Sequence, residues 1–323
     1  MTRIDIDRIS RAIACALYEA FRNPASLEPQ LVANLVFQLP KFINNIQFSG
    51  ATKVAAGGVF VHARPFVTCA SFPSASPASV EIGDLLLIRT LVVNGKVEER
   101  RALLLQAKKT DGIPAAPDNK NQWHLYEQWP GFTYAARSGG LNGKKRHIKE
   151  PDMYEAAKYL LIGSDLAASC WSQMCPVGWL CHLCYHRLGI CAHYTAQPTT
   201  SELSQYRCFA SELVDFLAGN AGKIFDKPKA MTRGWNRVIQ DLIDETAKAQ
   251  TIFMGRAAGQ TKKSTRGSGL LFISSTKDSK FFSALGGIKV EDSRKPPDVP
   301  DKWGDGDGGG ISIIEFVIEQ GES

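Results

Sequence analysis

The stretch EIGDLLLIRTLVVNGKVEERRALLLQAKK, residues 81–109, constrains the fold more than any other part of the chain. Its two continuous apolar runs, residues 85–88 and 102–105, are typical of strands that are covered on both faces. The Asn94-Gly95 pair between them predicts the turn of a β-hairpin. Polar residues gather at one end of this hairpin: Asp84 precedes the first run, and Gln106 and Lys108 follow the second.

The register of the hairpin decides whether these polar residues meet. A two-residue loop pairs Val93 with Lys96 and leaves Asp84 and Gln106 on opposite faces of the sheet. A three-residue loop, or a β-bulge near Asp84, sets Asp84 directly opposite Gln106. Lys108 then lies on the same face, because strand side chains repeat every second residue. We expect this second register, which brings a carboxylate, an amide and an ammonium group together.

An Asp, a hairpin and a Gln-x-Lys segment resemble the site of the PD-(D/E)xK nuclease superfamily, in a form with Gln in place of the commoner Glu. The resemblance implies a restriction-endonuclease-like fold and hydrolysis of DNA that depends on Mg²⁺ or Mn²⁺. It implies that Asp84 and Gln106 bind the metal, with Glu81 as a further metal ligand and catalytic residue. It assigns Lys108 to orienting or deprotonating the attacking water, and it suggests Glu28 of an early helix as a supporting acid.

The biological role that the resemblance implies is that of a restriction or anti-phage defence effector. The alternative is a catalytically inactive nucleic-acid-binding or scaffolding protein on the same fold. A third interpretation treats the hairpin as an ordinary buried strand pair whose polar ends reach solvent. Self-association, or a partner protein that activates the enzyme, stays open.

Charge is concentrated around the hairpin. Residues 85–150 contain 12 Lys or Arg against 6 Asp or Glu, a surplus of +6 that equals the formal net charge of the whole chain. This distribution favours a polyanionic partner, here DNA. Lys109 and the loop residues Lys144, Lys145 and Arg146 are the candidate phosphate contacts. For the loop, a simple solvated structure is an equal alternative.

Five cysteines and three histidines crowd residues 170–193. The Cys181-x-x-Cys184 pair has metal-ligand spacing, but a zinc module needs a second pair, and none is evident. Buried free thiols are therefore the favoured interpretation, since free cysteine behaves as a small apolar side chain. Zinc binding and Cys/His nucleophilic catalysis are weaker alternatives.

The alternation of short strands and helices predicts an α/β fold with a mixed central sheet flanked by helices. We expect a nuclease-like core with N-terminal helices over residues 1–150. A Cys/His-rich, α-rich C-terminal extension over residues 151–323 is expected to pack on this core. Helices are expected over residues 6–22, 28–46 (interrupted near Pro40) and 201–219. No apolar run reaches the roughly 18 residues of a membrane span and the start is not a signal peptide, so a cytoplasmic protein without membrane contact is expected.

Overall fold

The computed structural model describes residues 2–23, 25–61, 65–110, 119–136, 138–163, 193–198, 203–225, 234–257, 271–275, 279–283 and 310–321. The helices are α1 (Arg3–Phe21), α2 (Glu28–Asn44), α3 (Lys120–Gln128), α4 (Met153–Ala156), α5 (Phe209–Ala218) and α6 (Trp235–Ala257). The strands are β1 (Thr52–Val61), β2 (Phe66–Thr68), β3 (Val80–Glu81), β4 (Leu85–Val93), β5 (Lys96–Thr110), β6 (Phe132–Tyr134), β7 (Lys145–Arg146), β8 (Ala157–Gly163), β9 (His193–Pro198), β10 (Leu203–Cys208), β11 (Lys223–Ile224), β12 (Leu271–Ser275) and β13 (Ser312–Gln320).

A nine-stranded mixed sheet forms the centre of the fold. Its order is β10-β9-β8-β5-β4-β13-β1-β12, with β11 pairing with β5. The β13–β4 and β5–β8 pairs are parallel, and the other pairs are antiparallel. The predicted mixed sheet flanked by helices is therefore confirmed. Strands from both sides of residue 150 alternate within it, so the expected boundary does not separate two sheets, and the C-terminal part supplies strands as well as helices.

The hairpin strands are covered on both faces, as their apolar runs predicted. Leu85 and Leu87 face the core that α1, α2 and α5 cover. Leu86 and Ile88 face the opposite core, to which α3 and α6 contribute. Both faces bury leucines and isoleucines that would each cost roughly 1.5–3 kcal/mol to expose, so the hairpin is rigidly held.

A second, four-stranded sheet lies on the α3 side of the fold. Its order is β3-β2-β6-β7, and all of its pairs are antiparallel. One of its faces is apolar and buried in the same core as α3, through Val67, Val80, Phe132 and Tyr134. The opposite face therefore carries the alternate residues of the same strands.

Helix α2 is not interrupted at Pro40, which corrects the sequence-based expectation. Proline has no amide hydrogen, so it cannot donate to the carbonyl of Val36 one turn earlier. That carbonyl packs instead against Gly58 of β1, where an added Cβ would lie only 2.5 Å from the Val36 oxygen. Glycine at position 58 thus allows a proline-containing helix to lie close against the sheet.

The helix expected over residues 201–219 is only half present. Residues Leu203–Cys208 form strand β10 at the sheet edge, and helix α5 begins at Phe209. β10 pairs with β9 in antiparallel fashion. Hydrogen bonds to a neighbouring strand therefore override the local helical preference of this segment.

Helix α1 is fixed at its start by Asp5. Thr2 and Asp5 form a reciprocal capping box, and the Asp5 carboxylate also accepts hydrogen bonds from the Ser49 amide and hydroxyl at 2.8 Å. Burial acts to raise the pKa of Asp5, but these hydrogen bonds from Ser49 and Thr2 lower that pKa to about 2. Asp5 is thus an aspartate that the fold keeps ionised.

Candidate active site

The β4–β5 hairpin brings Asp84 opposite Gln106. Asn94 and Gly95 form a two-residue turn, both with positive φ, and Val93 pairs with Lys96. The register then shifts, because Glu98 is an extra residue between the Val92–Val97 and Leu91–Glu99 pairs. Beyond this β-bulge Leu85 pairs with Leu105. The predicted three-residue loop is therefore wrong, but the turn plus the bulge produces the register that it was meant to explain.

The Asp84 carboxylate bridges to the neighbouring strand at two points. Its Oδ2 accepts a hydrogen bond from the Ala107 amide at 2.7 Å and another from Gln106 Nε2. The backbone amide of Asp84 donates to the Leu105 carbonyl at 2.9 Å. The main chain of the sheet thus fixes the position of this carboxylate.

Gln106 is 1% exposed, and both ends of its amide are engaged. Its Nε2 donates to Asp84, and its Oε1 accepts from Gln122 Nε2 of helix α3 at 2.6 Å. Gln122 Nε2 also lies 3.4 Å from the Glu81 carbonyl. Sequence reasoning did not consider Gln122. The available signal in the sequence was a glutamine in the helix that follows the Gln-x-Lys strand, four residues before Tyr126.

Tyr126 helps to fix the segment that carries Asp84. Its hydroxyl donates to the Ile82 carbonyl at 2.9 Å, two residues before Asp84. The ring is 3% exposed and lies 5.2 Å, centroid to centroid, from the ring of Tyr159 on β8. Helix α3 therefore supports the site from the side through one amide and one phenol.

Lys108 and Glu28 meet at the same end of the sheet. Lys108 Nζ lies 3.8 Å from Glu28 Oε1, and the two side chains are 30% and 28% exposed. Glu28 belongs to the first turn of α2, and its Oε2 accepts from the Lys109 amide at 3.1 Å. The early-helix acid that the family resemblance suggested thus lies beside the Gln-x-Lys strand.

Electrostatics single out Asp84. Burial raises its pKa well above the ordinary aspartate value, and the negative charges of Glu81 and Glu28 raise it further. Lys108 acts in the opposite direction but does not cancel these effects. A group of three carboxylates in a partly buried position is a place where a bound cation would relieve repulsion.

The residues fit a cation only in part. Among the described residues, no three or more His, Cys, Asp and Glu side chains are arranged to hold a metal ion. Mg²⁺ needs few protein ligands, since it keeps several of its waters. Asp84 and its acidic neighbours suit such a loosely held ion. Gln106 turns its amide nitrogen, and not its oxygen, towards Asp84, so the amide would have to rotate to become a ligand.

The four predicted phosphate contacts divide into two groups. Lys109, Lys144 and Lys145 are exposed. Arg146 is 6% exposed, and its guanidinium donates to both carboxylate oxygens of Asp241 on α6. The prediction for Arg146 is wrong, because its charge is used inside the protein. It lies on the buried face of β7, next to the exposed Lys145.

The cysteine-rich segment, residues 170–191, for which buried thiols are the favoured interpretation and zinc an alternative, lies outside the described residues. His193 is described: it is buried on β9, its ring lies 4.4 Å from the ring of Phe21, and burial lowers its pKa to about 4. This histidine is therefore neutral near pH 7.

Comparisons with known proteins identify no relative: no family model, curated protein or solved structure matches the chain. In the part of the chain that the structure describes, no helix is both long and apolar enough to cross a bilayer.

Proposed function

We propose that the protein is a Mg²⁺-dependent nuclease that hydrolyses phosphodiester bonds of DNA. The observation that carries this proposal is the meeting of Asp84, Gln106 and Lys108 at one end of two adjacent strands. The register that unites them results from a bulge at Glu98, and it gives the Asp and Gln-x-Lys segments the relative placement that the superfamily resemblance requires.

In this proposal Asp84 is the principal metal ligand, and Glu81 and Gln106 assist. The metal would supply a Lewis acid for the scissile phosphate and lower the pKa of a bound water. Mn²⁺ is expected to substitute, because it also accepts oxygen ligands.

Lys108 is the residue proposed to act on the attacking water. Its ammonium lies at the mouth of the site and is partly exposed, so it can reach both solvent and a phosphate. The Glu28 carboxylate, 3.8 Å from the Lys108 ammonium, partly balances its charge. Lys108 can orient the water by hydrogen bonding or offset charge that develops on the phosphate.

The test is nicking of supercoiled plasmid in Mg²⁺, with Asp84→Ala and Lys108→Ala compared with the wild type. Both variants should lose cleavage by roughly a hundredfold or more while remaining folded, as expected when an acid–base or electrostatic group is removed. Lys96→Ala is the matched control, since Lys96 is an exposed lysine at the far end of the same strand. A folded Asp84→Ala protein that cleaves at the wild-type rate would exclude the proposal.

A second candidate function is nucleic-acid binding without catalysis. The observation that favours it is the closed chain of hydrogen bonds from Gln122 through Gln106 to Asp84, which satisfies the amide without a metal. Under this alternative, the wild type binds DNA but cleaves none in Mg²⁺ or Mn²⁺, and Asp84→Ala leaves DNA affinity unchanged or improves it. The plasmid assay, combined with a binding titration, separates the two functions.

A further inference from the structure

The outward face of the second sheet carries a row of polar side chains. Directly paired residues of antiparallel strands point to the same face. Thr68 of β2 pairs with Thr133 of β6, and Thr133 pairs with Lys145 of β7. The two threonines are partly exposed and the lysine is exposed. Two hydroxyl groups and an ammonium group therefore form a continuous row across three strands.

This row begins next to the candidate active site. Glu81 of β3 pairs with Phe66 of β2, so these two side chains point to the same face of the sheet. Phe66 lies two residues before Thr68 on the same strand, so Thr68 also shares this face with Glu81. Three strand spacings of about 4.8 Å and an offset of two residues along the strands set Lys145 about 16 Å from Glu81.

A cleft of about 540 Å³ lies along this row, over β2, β6 and β7. Thr68, Thr133, Lys145 and His147 contribute to its lining, and no aspartate or glutamate among the described residues does. His147 is exposed and follows Lys145 by two residues, so it extends from the same side of the chain. Among the described residues, Lys145 Nζ has no hydrogen-bond or ion-pair partner. The lining thus offers the Lys145 ammonium, the His147 imidazole and the Thr133 hydroxyl, with no carboxylate among the described residues, which suits an anionic ligand.

We propose that this face is a binding track for the sugar-phosphate backbone of the substrate. The inference rests on the proposed nuclease function and adds a second contact region to it. The backbone leaves the bond held at Asp84, crosses the outward face of the second sheet and reaches the cleft. There Lys145 and His147 bind a phosphate remote from the bond that is cleaved, and the Thr133 hydroxyl donates a hydrogen bond to it.

The test compares Lys145→Ala with Lys144→Ala. Lys144 was also a candidate phosphate contact by sequence, but it is an exposed lysine that does not line the cleft, so under this proposal it matches the charge change without the contact. Fluorescence anisotropy in EDTA would measure Kd for single-stranded and duplex DNA of about 20 nucleotides at several salt concentrations. Lys145→Ala should weaken binding about fivefold and reduce the salt slope of log Kd by about one for at least one of these DNAs. Lys144→Ala should change Kd by less than about twofold.

Comparing the two DNAs also shows whether the track binds single-stranded or duplex DNA. The form that binds more weakly to Lys145→Ala than to the wild type is the one that contacts the track. Equal losses for the two lysine variants, or no loss for either, would overturn the track. Hydrolysis of the small diester bis(p-nitrophenyl) phosphate should be the same in Lys145→Ala and the wild type, since this substrate cannot reach the cleft. Slower hydrolysis of this diester by Lys145→Ala would contradict the remote position.

The track and the nuclease proposal fail in different ways. If the wild type cleaves neither plasmid nor small diester, the nuclease function fails, and a selective loss of binding in Lys145→Ala still supports the track. If the wild type cleaves both but the two lysine variants bind DNA equally well, the track fails alone.

Discussion

Gln106 donates its side-chain amide to the Asp84 carboxylate across the hairpin, while Gln122 holds the other end of the same amide. This arrangement fixes Gln106 with its nitrogen towards Asp84. A metal shared by Asp84 and Gln106 requires the amide oxygen in that position, and hence a rotation of the amide and loss of the Gln122 hydrogen bond. The pair is therefore well ordered without metal and needs a small rearrangement to bind one.

We predict that Asp84→Asn stabilises the metal-free protein at neutral and alkaline pH. The folded-state pKa of Asp84 is raised above its unfolded value of about 3.9. The contribution of Asp84 to the free energy of unfolding is therefore fully present at acid pH and is lost as pH rises through the raised pKa. Asparagine does not ionise and avoids that loss. Thermal melts in EDTA should show Tm of the variant exceeding that of the wild type increasingly as pH rises, and saturating Mg²⁺ should narrow the gap.

Asp5→Asn is the matched control, with the opposite sign. The pKa of Asp5 is lowered to about 2, so its contribution is present above the unfolded pKa and is lost as pH falls towards that value. Asp5→Asn should therefore be less stable than the wild type at neutral pH, with a deficit that shrinks in acid. Parallel pH profiles for Asp84→Asn and the wild type would show that Asp84 carries no unfavourable charge.

Much of the hairpin could be predicted from the sequence, but its register could not. Continuous apolar runs predicted two strands covered on both faces, and Asn94-Gly95 predicted the turn. The bulge at Glu98 has no such signal, because residues 98–101 are all charged and show no apolar alternation that would fix a register. The register that unites Asp84 and Gln106 was therefore reached by assuming the wrong loop.

Contacts that are distant in sequence were also beyond prediction. The apolar residues of β13 are typical of a strand, yet its position between β1 and β4 depends on parallel pairing with residues 85–93. No local pattern encodes that pairing. Arg146 was misassigned for a related reason, since its partner Asp241 lies 95 residues away.

We predict that the buried Arg146–Asp241 pair contributes to stability and not to DNA binding. Removing Asp241 leaves the Arg146 guanidinium buried without its partner, so Asp241→Leu should cost roughly 3–5 kcal/mol of unfolding free energy. Arg146→Met should cost less, because Asp241 keeps an ion pair with Arg237 at 3.1 Å. Chemical denaturation would measure both changes.

The double variant Arg146→Met/Asp241→Leu should recover much of the loss, because it removes the buried guanidinium together with its partner and leaves only the partly exposed Arg237 without Asp241. DNA affinity of folded Arg146→Met should match that of the wild type. A drop in affinity as large as that expected for Lys145→Ala would restore Arg146 as a phosphate contact.

We predict that Gln122 positions Gln106. Gln122→Met keeps the side-chain length but removes the donor to Gln106 Oε1, which is buried. Leaving that oxygen unsatisfied should cost about 1–3 kcal/mol of stability, measured by denaturant titration. If Gln106 rotates to bind metal, loss of the Gln122 bond should also lower the Mg²⁺ concentration needed for half-maximal cleavage. A stability loss with unchanged Mg²⁺ dependence would limit Gln122 to a structural role.

The last prediction concerns Gln106→Glu. A carboxylate has two equivalent oxygens, so Glu at position 106 can face a metal beside Asp84 without rotating and still accept from Gln122. It also adds negative charge, so the variant should be less stable than the wild type in EDTA and need less Mg²⁺ for half-maximal cleavage. If Lys108 acts as a base, the added negative charge should lower the maximal rate. If Lys108 only orients water, the maximal rate should hold. Cleavage rates over a Mg²⁺ titration measure both effects, and an unchanged Mg²⁺ requirement would show that Gln106 does not face the metal.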